Sequence, residues 1–197
     1  MQMRRIGIPG IDRAAWGDHI CVFFYSKAEL LRLTIPYIKA GLEDDEFCMW
    51  ITGKPVNEVE AFRALEQVLP NAADYLAQKQ LEILPHTQWY LPSGVFDADM
   101  VLHNWVSKAR HAEAKGFAGI RITGNPFWLR TEQDWSQFDR YEKAVTNAIR
   151  DEHFIALCTY PGHVGRLDEV HRVLSAHRSA LFARNDQWEH RALENLH

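Results

Sequence analysis

The chain of 197 residues reads as an α/β protein, a three-layer sandwich with helices on both faces of a mostly parallel sheet. Three observations predict this. Short apolar runs rich in β-branched and aromatic residues alternate with amphipathic runs of ten or more residues, the length a crossover between parallel strands needs. The composition is globular, 47% apolar and 24% charged against about 25% charged in an average protein, so there is enough apolar material to cover a sheet. No repeat, low-complexity tract or Gly/Ser/Pro-rich linker interrupts the alternation, and residues 1–197 are read as one domain.

Taken in order, the run from His19 to Tyr25 is a strand by its β-forming residues. Lys27 to Leu42 carries apolar residues at Leu30, Leu31, Thr34, Tyr37, Ile38 and Leu42, a helical spacing, with a kink expected at Pro36. Glu46 to Thr52 is the second strand, Val56 to Val68 a helix, Ala72 to Gln78 a short helix and Leu81 to Pro85 the third strand. A turn-rich stretch, Trp89 to Gly94, precedes a long helix from Phe96 to Lys115, with Gly116 where a C-terminal cap belongs. Phe117 to Thr123 is the fourth strand. Thr131 caps a helix running to about Asp151, and Phe154 to Tyr160 is a fifth strand stopped by Pro161-Gly162. Leu167 to His177 is a further helix, and the tail from Ser179 to His197 fits strand or helix equally.

Charge and length then exclude several functions. With 22 Lys and Arg against 26 Asp and Glu, the formal charge of −4 offers no global attraction to nucleic acid or to an anionic membrane. The longest apolar stretches fall far short of the roughly 18 to 20 residues that span a bilayer. The basic start Met1-Gln-Met-Arg-Arg lacks a following apolar segment of a secretory signal, so a soluble, cytoplasmic protein is expected. Three cysteines, an odd number, fit reduced thiols in that compartment.

Ligands of open parallel sheets bind outside the carboxyl ends of the strands. Here those ends are Tyr25-Ser26, Thr52-Gly53, His86 to Trp89, Thr123 to Asn125 and Tyr160 to Gly162.

At Gly17-Asp-His-Ile-Cys-Val-Phe-Phe-Tyr25 the chain resembles the opening of the MEDS family, the sensory domain named for methanogens, methylotrophs and the dichloromethane regulator. Downstream, Gly41-Leu42 with Glu46-Phe-Cys-Met-Trp-Ile51, Trp89-Tyr-Leu91, Gly116-Phe-Ala-Gly-Ile-Arg-Ile-Thr-Gly124, Trp128-Leu129, Tyr141-Glu142 and Ala156-Leu-Cys-Thr-Tyr160 resemble the same family in order and spacing. The likeness covers about residues 15 to 190. It implies a sensory domain that recognises a small organic molecule and works with a histidine kinase or transcription regulator. It also implies a distant likeness to RecA and KaiC P-loop proteins, to whose lead-in Gly7-Ile-Pro-Gly-Ile-Asp12 is similar.

The P-loop itself is missing. Phosphate cradling needs G-x-x-x-x-G-K-[ST] after the first strand, and this chain has Tyr25-Ser-Lys-Ala-Glu-Leu-Leu there. Lys27 and the helix-start amides could still favour an anion. The fourth strand, Gly119-Ile-Arg-Ile-Thr-Gly124, ends without the acidic residue that would hold magnesium. No ATPase, and more broadly no enzyme, is expected, with no catalytic residue and no cofactor assigned.

Strand alternation puts His19, Cys21, Phe23 and Tyr25 on one face. His19 and Cys21 are either part of a ligand or metal site or a hydrogen-bonded histidine beside a buried thiol, and the second is the simpler. His171 and His177, six apart, sit on different sides of a helix, so no structural zinc site and no metal ligand is assigned. Cys158 would meet His19 if their strands are neighbours, where a low thiol pKa would make it reactive. Arg121 lies mid-strand and needs a partner; Glu142, on the buried stripe of its helix, is the pair expected, with an anionic ligand as the alternative.

Trp50, Trp89, Tyr90, Trp128 and Tyr160 fall near the carboxyl edge, where an aromatic pocket could form, whereas Trp105 and Trp135 sit on helical stripes as core. Asp97 and Asp99 read as helix N-terminal charge, and Asp44, Asp45 and Glu46 as a solvated turn. The candidate ligand-binding set is therefore His19, Cys21, Tyr25, Trp50, Trp89, Tyr90, Arg121, Thr123, Trp128, Cys158 and Tyr160. The function expected is a sensory domain with a small organic effector, its output passing through a signalling protein or through self-association. The alternatives are a nucleotide-binding KaiC relative and a thiol or metal redox sensor using Cys21, Cys158 and His19.

Overall fold

The computed structural model describes residues 2–129, 131–162, 167–184 and 187–193. A short antiparallel hairpin, β1 (Met3–Arg5) and β2 (Arg13–Ala15), leads in. There follow β3 (His19–Phe24), α1 (Lys27–Glu43), β4 (Phe47–Thr52), α2 (Glu58–Glu66), α3 (Ala72–Ala77), β5 (Leu81–Pro85) and α4 (His86–Trp89). Then come α5 (Ala98–Ala114), β6 (Ile120–Gly124), α6 (Glu132–Ile149), β7 (Phe154–Pro161), α7 (Leu167–Ala176), β8 (Ser179–Arg184) and β9 (Gln187–Ala192). The main sheet has seven strands in the order β5-β4-β6-β7-β3-β8-β9, all parallel except β9 against β8. The α/β class and the mostly parallel sheet are those the alternation of runs predicts.

The helix starts are local chemistry. Ser26 caps α1 by accepting from the Glu29 N–H, and Asp97 caps α5 through Met100. Asn57 with Glu60 and Thr131 with Asp134 form reciprocal capping boxes on α2 and α6. At the far end of α5, Gly116 takes φ +82°, the left-handed position that favours glycine. The helix α1 continues through Pro36 to Glu43. Of the tail that fits strand or helix equally, Ser179–Arg184 and Gln187–Ala192 form β8 and β9 at the edge of the sheet, where half-exposed residues blur the alternation, and 185–186 and 194–197 lie outside the described residues.

Two apolar layers sandwich the sheet. On one face α1, α2 and the segment Ile6 to Trp16 pack on Ile20, Val22, Phe24, Cys48, Trp50, Ile155 and Leu157. On the other, α5, α6 and α7 pack on Cys21, Phe47, Met49, Ile51, Ile120, Ile122, Phe154, Ala156 and Tyr160. Trp105 and Trp135 lie in this second layer, as their helical stripes require, and Trp16 and Trp188 are buried in the first.

The expected pair between Arg121 and Glu142 does not form. Alternation along β6 sends Arg121 to the α1 face, whereas α6 carries Glu142 on the opposite one. Arg121 instead grips Glu46 through Nε to Oε2 at 2.6 Å and Nη2 to Oε1 at 3.0 Å. Its remaining N–H groups donate to Tyr37 O at 3.0 Å, Ile6 O at 3.5 Å and Arg5 O at 2.8 Å. Glu46 also accepts from Arg4 Nε at 2.9 Å. Glu46 is fully buried, so the reading of Asp44 to Glu46 as a solvated turn fails at its last residue. The arginine fits because Gly41 leaves room: a Cβ there would stand 2.8 Å from Arg121 Cδ and Nε.

Candidate functional site

β3 and β7 run side by side with His19 opposite Ala156 and Cys21 opposite Cys158. His19 and Cys158 therefore project from adjacent strands toward the layer of α6 and α7. The helix α6 crosses them with Glu142 and Thr146, one turn apart on its inner side. His177, just past the end of α7, completes the group.

Four atoms converge there. His19 Nε2 stands 3.1 Å from Glu142 Oε2 and 3.3 Å from Cys158 Sγ, and His177 Nε2 stands 3.4 Å from the same carboxylate oxygen. Cys158 Sγ lies 3.9 Å from Glu142 Oε2, and the two imidazole rings are 4.0 Å apart between centroids. His19, Glu142 and His177 are buried and Cys158 is partly so.

The outer ring nitrogens decide the protons. His177 Nδ1 lies 2.7 Å from Val173 O, and a carbonyl can only accept, so that nitrogen carries the hydrogen. Thr146 gives its hydroxyl hydrogen to Ala176 O at 2.5 Å and so accepts from His19 Nδ1–H at 2.6 Å. Both Nε2 atoms thus aim lone pairs at the centre. Burial holds both imidazoles neutral, lowered to about 3, and pushes the Glu142 carboxyl up to about 7. Burial, reinforced by Glu142, also raises the Cys158 thiol, contrary to the low thiol pKa expected beside a histidine. Among the described residues His177 Nε2 has no hydrogen-bond donor.

Aromatic rings roof this group. Tyr160 meets His177 edge-on at 5.8 Å and Phe23 at 5.8 Å. Tyr90, Phe96, Trp128, Phe138 and Tyr141 pack into one cluster beside it, with Trp128 and Phe96 5.2 Å apart and Trp89 against Trp105 at 4.3 Å. Tyr160 Oη, Trp128 Nε1 and Trp89 Nε1 are buried without a hydrogen-bond partner among the described residues. A crevice of about 20 Å³ opens at the carboxyl edge between Phe23, Leu129, Trp135, Tyr160 and Val173. A second, of about 10 Å³, reaches Glu142 between Trp135, Phe138 and Ala176.

The sequence-predicted residues divide between the two faces. His19, Cys21, Cys158, Tyr160, Trp89, Tyr90 and Trp128 lie on the α6 side. Trp50 and Arg121 lie on the α1 side. Thr123, two residues along the same strand, shares Arg121's face, and its hydroxyl is buried without a hydrogen-bond partner among the described residues. Tyr25 lies past the end of β3, 68% exposed, its ring close to Gly162. Cys21 bonds Ser179 O rather than the polar group. Glu142, His177 and Thr146 belong to the group and were not in the candidate set; Glu142 on a buried helical stripe was the one signal available.

The architecture is that of RecA-like three-layer proteins. The chain is similar to the KaiC-like protein PH0186 from the hyperthermophilic archaeon Pyrococcus horikoshii OT3, with a TM-score of 0.60 at 14% identity, covering 96% of this chain and 85% of that one. Residues 18–178 match the model of the MEDS family, the methanogen/methylotroph, DcmR sensory domain, and the chain belongs to that family. It is also 26% identical over 175 residues to the transcriptional repressor DcmR of Methylorubrum extorquens (strain DSM 6343 / CIP 106787 / DM4), a match over 86% of this chain. The chain spans about three-fifths of that relative, 61% of its length. Among the described residues no helix is long and apolar enough to cross a membrane.

Proposed function

We propose that this chain is a non-catalytic sensory domain that takes a small organic effector at the carboxyl edge of the sheet, between β3, β7, α6 and α7. The observation that carries the reading is the aromatic roof over a polar floor, with the buried Tyr160 Oη and Trp128 Nε1 unpartnered among the described residues. Buried polar atoms without partners cost about 1–3 kcal/mol each, and a guest that supplies those hydrogen bonds recovers that free energy. The crevices hold little more than a water-sized molecule, which favours an effector of few atoms.

The β3–α1 junction supports the absence of ATP chemistry. Ser26 Oγ already accepts the Glu29 N–H, and the Glu29 carboxylate accepts from Tyr25 N at 2.7 Å where a phosphate would need to approach. Lys27 pairs with Glu60 at 2.5 Å. Binding between α6 and α7 would shift their packing, and the output passes to a regulator, a kinase or a second copy of the chain. The likeness to a transcriptional repressor favours transcription regulation as the output.

Thermal unfolding of the intact chain with a panel of small organics, one-carbon compounds included, and with magnesium-ATP tests the reading. A fitting effector at a hundredfold excess over its Kd stabilises by about 2.7 kcal/mol. Stabilisation by magnesium-ATP alone would replace this reading with nucleotide binding.

A further inference from the structure

We propose that His19, Cys158, Glu142 and His177 form a binding site for one divalent transition-metal ion, zinc or a metal of like geometry, in the sheet–helix core. The inference stands independently of the organic effector, whose identity it does not use.

The ligand number and spacing suit a four-coordinate site. Zinc holds nitrogen, oxygen and sulfur ligands at about 2.0–2.3 Å, which places ligand atoms about 3.3–3.7 Å from each other. The measured separations are 3.1, 3.3, 3.4 and 3.9 Å for four of the six pairs, and all four atoms lie within 4.8 Å of one another. Three of these separations lie within about 0.2 Å of that range and the fourth, 3.9 Å, just outside it, so side-chain adjustment can bring the four atoms onto one ion.

The surrounding hydrogen bonds are those a metal-bound imidazole requires. A ligating histidine donates its other N–H to a carbonyl, carboxylate or hydroxyl, which sets its tautomer and aims the lone pair. Both histidines do this here, His177 to Val173 O and His19 to Thr146 Oγ1, itself tied to Ala176 O. The four groups come from four elements, β3, α6, β7 and the end of α7, so the arrangement depends on the fold and not on a local turn.

Charge favours the same occupant. Two neutral imidazoles, one thiolate and one carboxylate carry −2, and a divalent cation makes the buried centre neutral. Without it the Cys158 sulfur keeps its hydrogen, and the Glu142 carboxyl, pushed up to about 7 by burial, takes one up as the pH falls below that value. Binding therefore releases those two protons, one from Cys158 Sγ and one from Glu142, when both are present, and no electron moves. Imidazole and thiolate together select zinc, cobalt, nickel or copper over magnesium and calcium.

The test is cobalt(II) and zinc(II) titration of the untagged, chelator-stripped full chain, with the fold checked by circular dichroism. The expected result is stoichiometric binding, a strong visible band of tetrahedral cobalt and a sulfur-to-cobalt charge-transfer band in the near ultraviolet. Cys158→Ser should remove the charge-transfer band. His177→Gln should weaken binding at least about tenfold. Thr146→Val, which touches no metal, should weaken it within about 10–100-fold and keep the band positions. A folded chain that gives no cobalt band, or a band unchanged in both Cys158→Ser and His177→Gln, would overturn the site. Because no organic compound is present, this outcome is separate from that of the effector panel.

Discussion

The two faces of the sheet each bury a charged or titratable group, and they treat it in opposite ways. On the α1 face, Arg121 has five N–H donors and meets five acceptor contacts, from both Glu46 oxygens and three backbone carbonyls. On the α6 face, two imidazole lone pairs and a carboxylate oxygen point at one another, with the Cys158 S–H the one fixed donor among the described residues. A buried polar group whose valence is filled by its own chain is structure. One left short of protons, in an otherwise well-packed core, is where an outside ligand has something to gain.

The comparison can be broken first at Glu46. Replacing it by Gln leaves Arg121 buried with no counter-charge, and breaking such a pair costs about 3–5 kcal/mol. Urea unfolding measures it, and a loss below about 1 kcal/mol would show that the backbone carbonyls alone suffice. A double-mutant cycle sharpens the assignment: Arg121 with Glu46 should couple strongly, and Arg121 with Glu142, on opposite faces, should be additive within about 0.5 kcal/mol. Gly41→Ala comes next. Its Cβ would meet Arg121 and stand 2.7 Å from Cys48 Sγ, so a loss of about 1–3 kcal/mol is expected despite the better helix former.

On the other face the effects should be smaller. Thr146→Val leaves His19 Nδ1–H and Ala176 O without partners and should cost about 1–3 kcal/mol in the metal-free chain. Glu142→Gln should lie within about 1 kcal/mol of the parent in the absence of metal, since the amide keeps the shape and brings hydrogens to the two Nε2 atoms. The same substitution that is severe at Glu46 is thus expected to be mild at Glu142. Equal losses at the two positions would remove the distinction between a filled network and an open one. Thiol labelling gives the smallest change: burial raises all three thiols, so exposure decides, and the fully buried Cys21 and Cys48 should react after unfolding and the partly exposed Cys158 sooner.

Much of this was legible in the sequence. Periodicity located β3 to β7 and the principal helices, Thr131 was legible as the cap of α6, and Asp97 as acidic charge at the start of α5. The contact between His19 and Cys158 followed from placing their strands side by side. Glu46 was missed because its neighbours Asp44 and Asp45 make a polar turn, and local composition does not show that the next side chain points inward. His177 was missed because its spacing from His171 was tested for a local metal motif, whereas its partner is 158 positions away on β3.

The sequence by itself determined the alternation of strands and helices, the side of each strand on which a residue falls and the family to which the chain belongs, because periodicity, caps and ordered motifs are local properties. Tertiary structure alone decided which face of the sheet each helix covers, and with it that Arg121 pairs with Glu46 and that Glu142 joins two histidines and a cysteine. The reason is physical: a buried charge takes whatever partner the crossovers bring within about 3 Å, and the direction of a crossover is set by packing of the whole sheet rather than by the residues it joins.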